Sequence, residues 1–421
     1  MKKKLLSVLL STAMVASLLV GCGSSAATDD SAAADDSAAT DAAATDTADD
    51  SAATDDSASA GEGGFVGVAM PTKDLQRWNQ DGSNMQAEHE AAGYKVDIQY
   101  ASNDTATQVS QIENMITEGV DVLVIASIDG SSLGTVMSQA KEAGIPVIAY
   151  DRLIMDSDAV SYYATFDNYM VGTKQGEYIR DNLDLDNAAG PFNLEVFTGD
   201  PGDNNANFFY GGAMDVLNKY IDEGKLVIKS GQKEFADVAT ANWSTETAQS
   251  RMENILASYY ADGTKLDAVL CSNDSTALGV ENALAANYTG DYPIITGQDC
   301  DIANVKNMIA GKQSMSIFKD TRTLASQVVK MVGQIIEGQE VEVNDTESYD
   351  NGTGVIPSFL CEPVVCTADN YKELLVDSGY YKYHEAYHLL KFANEKQILE
   401  KAYNEYLELK KNNLWGSHKY F

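Results

Sequence analysis

The chain has few basic residues and few histidines, and each shortage argues against a class of function. Its 421 residues carry 29 Lys and Arg against 63 Asp and Glu, a net charge of −34. Nucleic acids and anionic lipids are bound through basic side chains, so the composition excludes both as direct partners. Only four histidines are present, three of them among the last forty residues. Since they leave little material for a histidine-based catalytic or zinc centre, we expect no metal and no cofactor.

Cysteines are also scarce, and their spacing is uninformative about metal binding. Cys271, Cys300, Cys361 and Cys366 form no CxxC motif. Cys361 and Cys366 could pair outside the cell, although buried free thiols are the preferred interpretation. The fifth cysteine, Cys22, belongs to the leader.

The start of the chain predicts export and a lipid anchor. Three lysines precede an apolar run from Leu5 to Val20, which is too short for a spanning helix. The sequence Leu-Val-Gly-Cys then ends the leader as a lipobox. We therefore predict a signal peptide over residues 1–22, with lipid on Cys22 holding the chain on the outer face of the cell membrane. The alternative is an ordinary secretory signal with a chance cysteine.

Residues 23–63 are almost entirely Ala, Ser, Thr, Asp and Gly, with ten Asp, one Glu and no basic residue. Such a segment has no large apolar side chains to bury, and its charges repel one another. It is predicted to be a disordered linker between the anchor and a folded body.

From Phe65 onward, short apolar runs alternate with helix-like stretches. The runs are apolar throughout, which is typical of parallel strands covered by helices on both faces. We predict an α/β fold of two doubly wound parallel-sheet domains, the second beginning near Asn168. The predicted strands of the two series span residues 65–70, 95–100, 121–127 and 146–150, then 192–199, 225–231, 267–273 and 292–299.

Polar and aromatic side chains follow the ends of six predicted strands. In open α/β sheets, ligands bind beyond the carboxyl ends of the strands. Asp and Asn combined with Arg and Lys can satisfy hydroxyls that both donate and accept, and an indole face suits the C–H faces of a sugar ring. A sugar site is therefore predicted. The candidates are Lys73, Arg77, Trp78, Asp151, Arg152, Asp203, Asn204, Asn205, Trp243, Asn273, Asp274, Gln298, Asp299, Lys319 and Asp320.

Competing motifs fit less well. The glycines in GDPGDNN lack the frame of a phosphate loop, and NLDLDNAAG lacks the glycine and glutamate of a calcium loop. A glycosidase would need two opposed carboxylates, which Asp151, Asp203 and Asp299 could supply. Because Arg152 follows Asp151 and asparagines follow Asp203, we favour binding over acid catalysis and expect no enzyme.

The motifs MPTKDLQRW, IPVIAYDRLI, DNNANFFYGGAM, TGQD and SIFKDTR together resemble type I periplasmic sugar-binding proteins, above all their multiple-sugar-binding and xylose-binding members. The resemblance runs from about Phe65 to Tyr381. It implies two lobes joined by three crossings, with a monosaccharide enclosed between them. The ligand contacts that it implies are Arg77, Trp78, Asp151, Arg152, Asp203, Asn205, Trp243, Asn273, Asp299 and Lys319.

The same resemblance divides the body into two lobes. Residues 64–167 plus 320–354 are assigned to the first lobe, and 168–319 plus 355–381 to the second. Crossings are expected near 166–168, 319–321 and 355–358. Trp78 and Trp243 would sandwich the sugar ring, and Lys319 would lie near a hinge.

Residues 382–421 lie outside the resemblance. They contain seven Lys and five Glu, with apolar residues at helical spacing. The pattern predicts an amphipathic helix. It could pack on the body, bind a partner, or be the scar of a frameshift.

Together these observations predict a monomeric, surface-anchored solute-binding protein of an ABC transporter. It would capture a monosaccharide of the xylose, glucose, galactose or arabinose type by hinge closure and deliver it to a permease. The alternatives are a sugar sensor acting on a membrane kinase and, less favoured, an extracellular glycosidase. The leader and linker agree with an extracytoplasmic position on the membrane.

Overall fold

The computed structural model of the protein describes residues 63–411. The predicted signal peptide, Cys22 and nearly all of the predicted linker lie outside the described residues. The strands are β1 (Phe65–Met70), β2 (Lys95–Tyr100), β3 (Val122–Ile125), β4 (Val147–Tyr150), β5 (Val160–Phe166), β6 (Phe192–Phe197), β7 (Leu226–Val227), β8 (Ala268–Cys271), β9 (Ile294–Ile295), β10 (Ser316–Phe318), β11 (Ser358–Cys361) and β12 (Val364–Cys366).

Helices separate most of these strands. They are α1 (Gln76–Ala91), α2 (Thr105–Glu118), α3 (Gly134–Glu142), α4 (Asn168–Asn182), α5 (Asn204–Asp222), α6 (Phe235–Val238), α7 (Thr245–Tyr259), α8 (Asp274–Asn287), α9 (Ile302–Ala310), α10 (Thr321–Ile336) and α11 (Tyr383–Lys411).

The first lobe is built on a six-stranded parallel sheet in the order β11-β5-β4-β3-β1-β2. Its central strands are buried over their whole length, as in β3, because helices cover both faces. Met85 of α1 and Val328 of α10 pack on one face, and Ile112 of α2 and Met137 of α3 pack on the other. The predicted α/β fold with parallel sheets is confirmed.

The second lobe is built on a four-stranded parallel sheet in the order β7-β6-β8-β9. Met252 of α7 and Val280 of α8 pack on one face, and Leu217 of α5 packs on the other. A short antiparallel pair, β10 with β12, lies beside this sheet through a bridge between Ile317 and Gln298.

The predicted boundary between the lobes is wrong for residues 355–361, which were assigned to the second lobe. Strand β11 pairs with β5 in the first sheet, so Ser358–Cys361 belongs to the first lobe. The third crossing consequently lies between Cys361 and Val364 rather than at 355–358. The strand has only four residues, too few to show from the sequence which of the two sheets it joins. The other two crossings lie between β5 and α4 and between β10 and α10, near the predicted positions.

The last described element, α11, packs against the body through its first half. Leu389 is fully buried in a cluster with Val305 and Met308 of α9. Further along the helix, Ile398 and Leu399 are exposed.

The four cysteines of the body are buried free thiols, including Cys361 and Cys366. Within residues 63–411, no helix has the length and apolar character required to cross a membrane.

Candidate functional site

The ten side chains that the resemblance implies as ligand contacts lie around a single cavity between the two lobes. Its lining contains Arg77, Trp78, Asp151, Arg152, Asp203, Asn205, Trp243, Asn273, Asp299 and Lys319. These residues come from helix starts and loops at the carboxyl ends of the strands. Because parallel strands bring these ends to one edge, positions up to 242 residues apart in the sequence become neighbours.

Arg77 organises the first-lobe side of the cavity from the first turn of α1. Its Nε lies 2.9 Å from Oδ2 of Asp81, one turn further along the helix. Its Nη2 donates to Oδ1 of Asp151, which directly follows β4. Burial lowers the pKa of Arg77, but the carboxylates of Asp151, Asp81 and Asp299 outweigh it and raise the pKa well above its ordinary value. The guanidinium therefore remains charged although it is buried.

Arg152 connects the two lobes. Its Nε lies 2.9 Å from Oδ2 of Asp203, which caps the start of α5 in the second lobe. The same carboxylate oxygen accepts from Nε1 of Trp243 at 3.3 Å. Burial raises the pKa of Asp203, and the Arg152 charge opposes that rise.

Lys319 lies at the crossing between β10 and α10, and it contacts carboxylates from both lobes. Its Nζ is 3.0 Å from Oδ1 of Asp299 and 3.9 Å from Oδ1 of Asp151. Burial alone would raise the pKa of Asp151, but Arg77, Lys319 and Arg152 hold it below the ordinary value. Asp151 is therefore an ionised acceptor.

The two asparagines of the cavity, Asn205 and Asn273, use some of their hydrogen-bonding groups within the protein. Nδ2 of Asn205 donates to the carbonyl oxygen of Asp151 at 2.7 Å, and its Oδ1 accepts from the Tyr163 hydroxyl at 3.0 Å. Asn273 caps α8 by accepting from the amide of Thr276 at 3.0 Å. What Asn273 can offer a ligand is therefore mainly its amide N–H groups.

Three of the ten residues hold unusual backbone conformations. Asp151, Trp243 and Asp299 have φ values of 60°, 54° and 93°, in the left-handed region that side chains disfavour. Such conformations cost about 1 kcal/mol or more each and concentrate at functional sites. A related constraint acts at Gly199, where an added Cβ would come within 1.9 Å of the Trp243 indole. The indole can therefore lie against the end of β6 only because position 199 is glycine.

Five further residues line the cavity. Gln298 is one of the strand-end candidates named from the sequence, whereas Leu75, Phe209, Ser275 and Asp301 are not among those candidates. Leu75 and Phe209 have the same sequence signature as core residues. Asp301 lies two positions beyond the predicted Asp299, and only the turn between them brings it back to the cavity.

The chemistry of the lining indicates which kind of ligand the cavity between the lobes suits. Its lining combines three cations, several carboxylates and amides, and the two indoles of Trp78 and Trp243. Each indole is almost fully buried. These groups suit a small neutral ligand with several hydroxyls and an apolar face. In residues 63–411, no group of three or more potential metal ligands comes together.

Comparison with known proteins identifies the class to which the chain belongs. Residues 66–340 match the family model described as a periplasmic binding protein domain. The chain is a member of the periplasmic-binding-protein family.

Three individual proteins are similar to the chain over most of its length. The chain is 51% identical over 327 residues to the multiple sugar-binding periplasmic receptor ChvE of Rhizobium radiobacter, covering 77% of this chain and 92% of that protein. It is 37% identical over 317 residues to the D-xylose-binding periplasmic protein of Escherichia coli, covering 75% and 91%. An ABC transporter solute-binding protein from Clostridium phytofermentans with bound β-D-glucose shares 75% identity at a TM-score of 0.76, covering 76% and 99%. The predicted resemblance is confirmed.

Proposed function

We propose that the protein is an extracytoplasmic receptor that binds one monosaccharide between its lobes. The observation that supports this proposal is that ten side chains, from strand ends and helix starts of both lobes, line one cavity. The ion pair between Arg152 and Asp203 spans the lobes at that cavity. A ligand that contacts both lobes favours the closed arrangement, so binding and closure are coupled.

Glucose is the first candidate ligand, followed by xylose, galactose and arabinose. The solved relative at 75% identity holds β-D-glucose, and another relative is named for D-xylose. The paired state of Asp151, Asp203 and Asp299 with Arg and Lys supports hydrogen bonding to hydroxyls rather than acid–base catalysis. We therefore propose a binding protein without enzymatic activity.

In the cell, we propose that the chain is a monomer, anchored by lipid on Cys22, that delivers its sugar to an ABC permease. The 75% identical relative from Clostridium phytofermentans is named an ABC transporter solute-binding protein, which supports the transport role. A sensory role, in which the closed form acts on a membrane kinase, is the second candidate because a 51% identical relative is named a receptor.

The test is calorimetric titration of the purified protein with glucose, xylose, galactose, arabinose and ribose, after unfolding and refolding to remove bound sugar. One-to-one binding of at least one sugar is expected. Trp243→Ala and Asp299→Ala should each weaken it at least tenfold, because each removes a group that lines the cavity. The control is Asp158→Ala, which removes an exposed aspartate and should leave the affinity unchanged. Absence of heat with all five sugars would refute the assignment.

A further inference from the structure

Asp301 is a carboxylate of the cavity that has no role in the set chosen from the sequence. It lines the cavity together with Asp299. Between them the backbone turns sharply, with φ values of 93° at Asp299 and 52° at Cys300. Asp301 then begins α9 as its N-cap residue, but its side chain makes no capping hydrogen bond. The carboxylate therefore does not make the capping hydrogen bond that an aspartate usually makes at this position.

Asp301 also differs from its neighbours in having no cation. Asp151, Asp203 and Asp299 each form an ion pair with a buried Arg or Lys, whereas none joins Asp301 to a basic residue in the described part of the chain. Oδ1 of Asp301 is buried and has no hydrogen-bond partner there. A buried, unsatisfied carboxylate oxygen is unfavourable in an isolated protein and points to a missing partner.

The surroundings of Asp301 contain two further carboxyl groups, those of Asp274 and Asp299, and the cation of Arg77. The Oδ2 of Asp274 accepts the backbone N–H of Asp301 at 2.8 Å, and the charges of Asp299 and Arg77 also act on it. Burial and then the Asp299 carboxylate raise the pKa of Asp301 to about 7, with Arg77 opposing. A hydroxyl group suits this position because it can donate to the ionised carboxylate and accept from the protonated one.

We propose that Asp301 is a further sugar-contacting residue, which accepts a hydrogen bond from one hydroxyl and so helps to select the hydroxyl pattern of the ligand. This inference rests on the proposed sugar-binding function. It adds an acceptor that is distinct from the ten residues chosen from the sequence.

One rival explanation comes from the opposite lobe. Oε1 of Gln76, in α1, accepts the backbone N–H of Ile302 at 3.2 Å, and its Nε2 is buried without a partner. A small movement could let this amide satisfy Asp301, which would then act in lobe closure. The sugar is the better partner because Asp301 lines the cavity and Gln76 does not.

The experiment is a double-mutant cycle between the protein and its ligand. Affinities of the wild type and Asp301→Ala are measured by calorimetry for glucose, for 2-, 3-, 4- and 6-deoxyglucose, and for xylose, which lacks the exocyclic carbon. We expect the wild type to bind one deoxy analogue at least tenfold more weakly than it binds glucose. The variant should bind that analogue less than threefold more weakly than it binds glucose. For every other analogue, the affinity relative to glucose should fall by the same factor in both proteins.

A uniform loss across all analogues in Asp301→Ala would overturn the proposed contact. Only if the loss in Asp301→Ala were uniform, like the loss expected for Gln76→Leu, would Asp301 be assigned to closure instead. Asp301→Asn, which preserves the shape of the side chain, is measured in parallel with thermal unfolding, so that misfolding of the alanine variant is recognised and the cycle is completed with asparagine. Failure of the wild type to bind any of these sugars would refute the proposed function itself, a different result from uniform loss in the variant alone.

Discussion

Some buried side chains of this protein remain charged although burial disfavours the charged form. Arg77 remains charged among three carboxylates, and Asp151 remains ionised because Arg77, Lys319 and Arg152 surround it. A buried ion network of this kind contributes little net stability, because desolvation offsets the attraction. Its value lies in donors and acceptors whose positions are set before the ligand arrives.

Glu281 is a buried carboxylate outside the cavity, and it gives the second lobe a pH dependence. It lies in α8, and Nδ2 of Asn307 donates to its Oε2. Burial raises its pKa from 4.5 to about 8, against the opposing charge of Lys312. Between these two values the folded state retains a proton that the unfolded state has released. The free energy of unfolding therefore falls as the pH rises through this window, and it levels off above it.

We predict that Glu281→Gln removes this dependence. The stability of the variant relative to the wild type should increase from pH 5 to pH 8, at on the order of 1.4 kcal/mol per pH unit. Urea unfolding at five values from pH 5 to pH 9 measures it. The control is Glu223→Gln, which changes an exposed glutamate of the same lobe. If the difference in free energy of unfolding between the variant and the wild type stayed constant with pH, Glu281 would be ionised in the folded protein across this range.

At the scale of elements, the site depends on helices that begin at the cavity. Asp203 caps α5 and Asn273 caps α8, so residues with an ordinary capping role also line the cavity. Asp167 and Asp320 cap α4 and α10, the helices that follow two of the crossings between lobes. The caps determine where each helix starts, and therefore which side chains reach the cavity.

The C-terminal helix α11 offers a matched pair of leucines. Leu389 is 0% exposed and Leu399 is 69% exposed. Leu389→Ala should lower the free energy of unfolding by about 2 kcal/mol or more, because it leaves a cavity in the contact with α9. Leu399→Ala should change it by less than about 0.5 kcal/mol. Thermal or urea unfolding measures both, and equal effects would contradict the packing of α11 on the body.

At the scale of the whole molecule, hydrogen bonds outside the cavity also join the two lobes. Gln76 of the first lobe accepts from the amide of Ile302 in the second at 3.2 Å. The amide of Gly130 donates to the carbonyl oxygen of Gly202 at 3.2 Å. Contacts of this kind exist only when the lobes are close together, so they add to the stability of the closed arrangement for every ligand alike.

We predict that Gln76→Leu weakens the binding of all sugars by one common factor. A net hydrogen bond is worth about 1 kcal/mol, which corresponds to about a fivefold change in affinity. Calorimetric affinities for glucose, xylose and galactose measure the factor. Gln86→Leu is the control, since Gln86 is exposed on the same helix. A factor that differs between sugars would mean that Gln76 discriminates among ligands rather than assisting closure.

Much of the architecture was readable from the chain. The predicted bounds of β1 and β2 coincide with the observed strands, because each is a compact run that is followed by a clear helix pattern. The predicted strands at 225–231 and 292–299 shrink to Leu226–Val227 and Ile294–Ile295. Apolar runs at the edges of a sheet find fewer partners than their pattern suggests, so their pairing ends early.

The sequence alone determined the parallel α/β class and the cluster of strand-end side chains, because both follow from local order along the chain. Only the tertiary structure decided that β11 joins the first sheet, that the third crossing falls between Cys361 and Val364, and that Asp301 returns to the cavity. These features arise from pairing and turning of segments far apart in sequence or from left-handed backbone at Asp299. Neither leaves a periodic pattern of apolar residues, so neither could be read before the chain was folded.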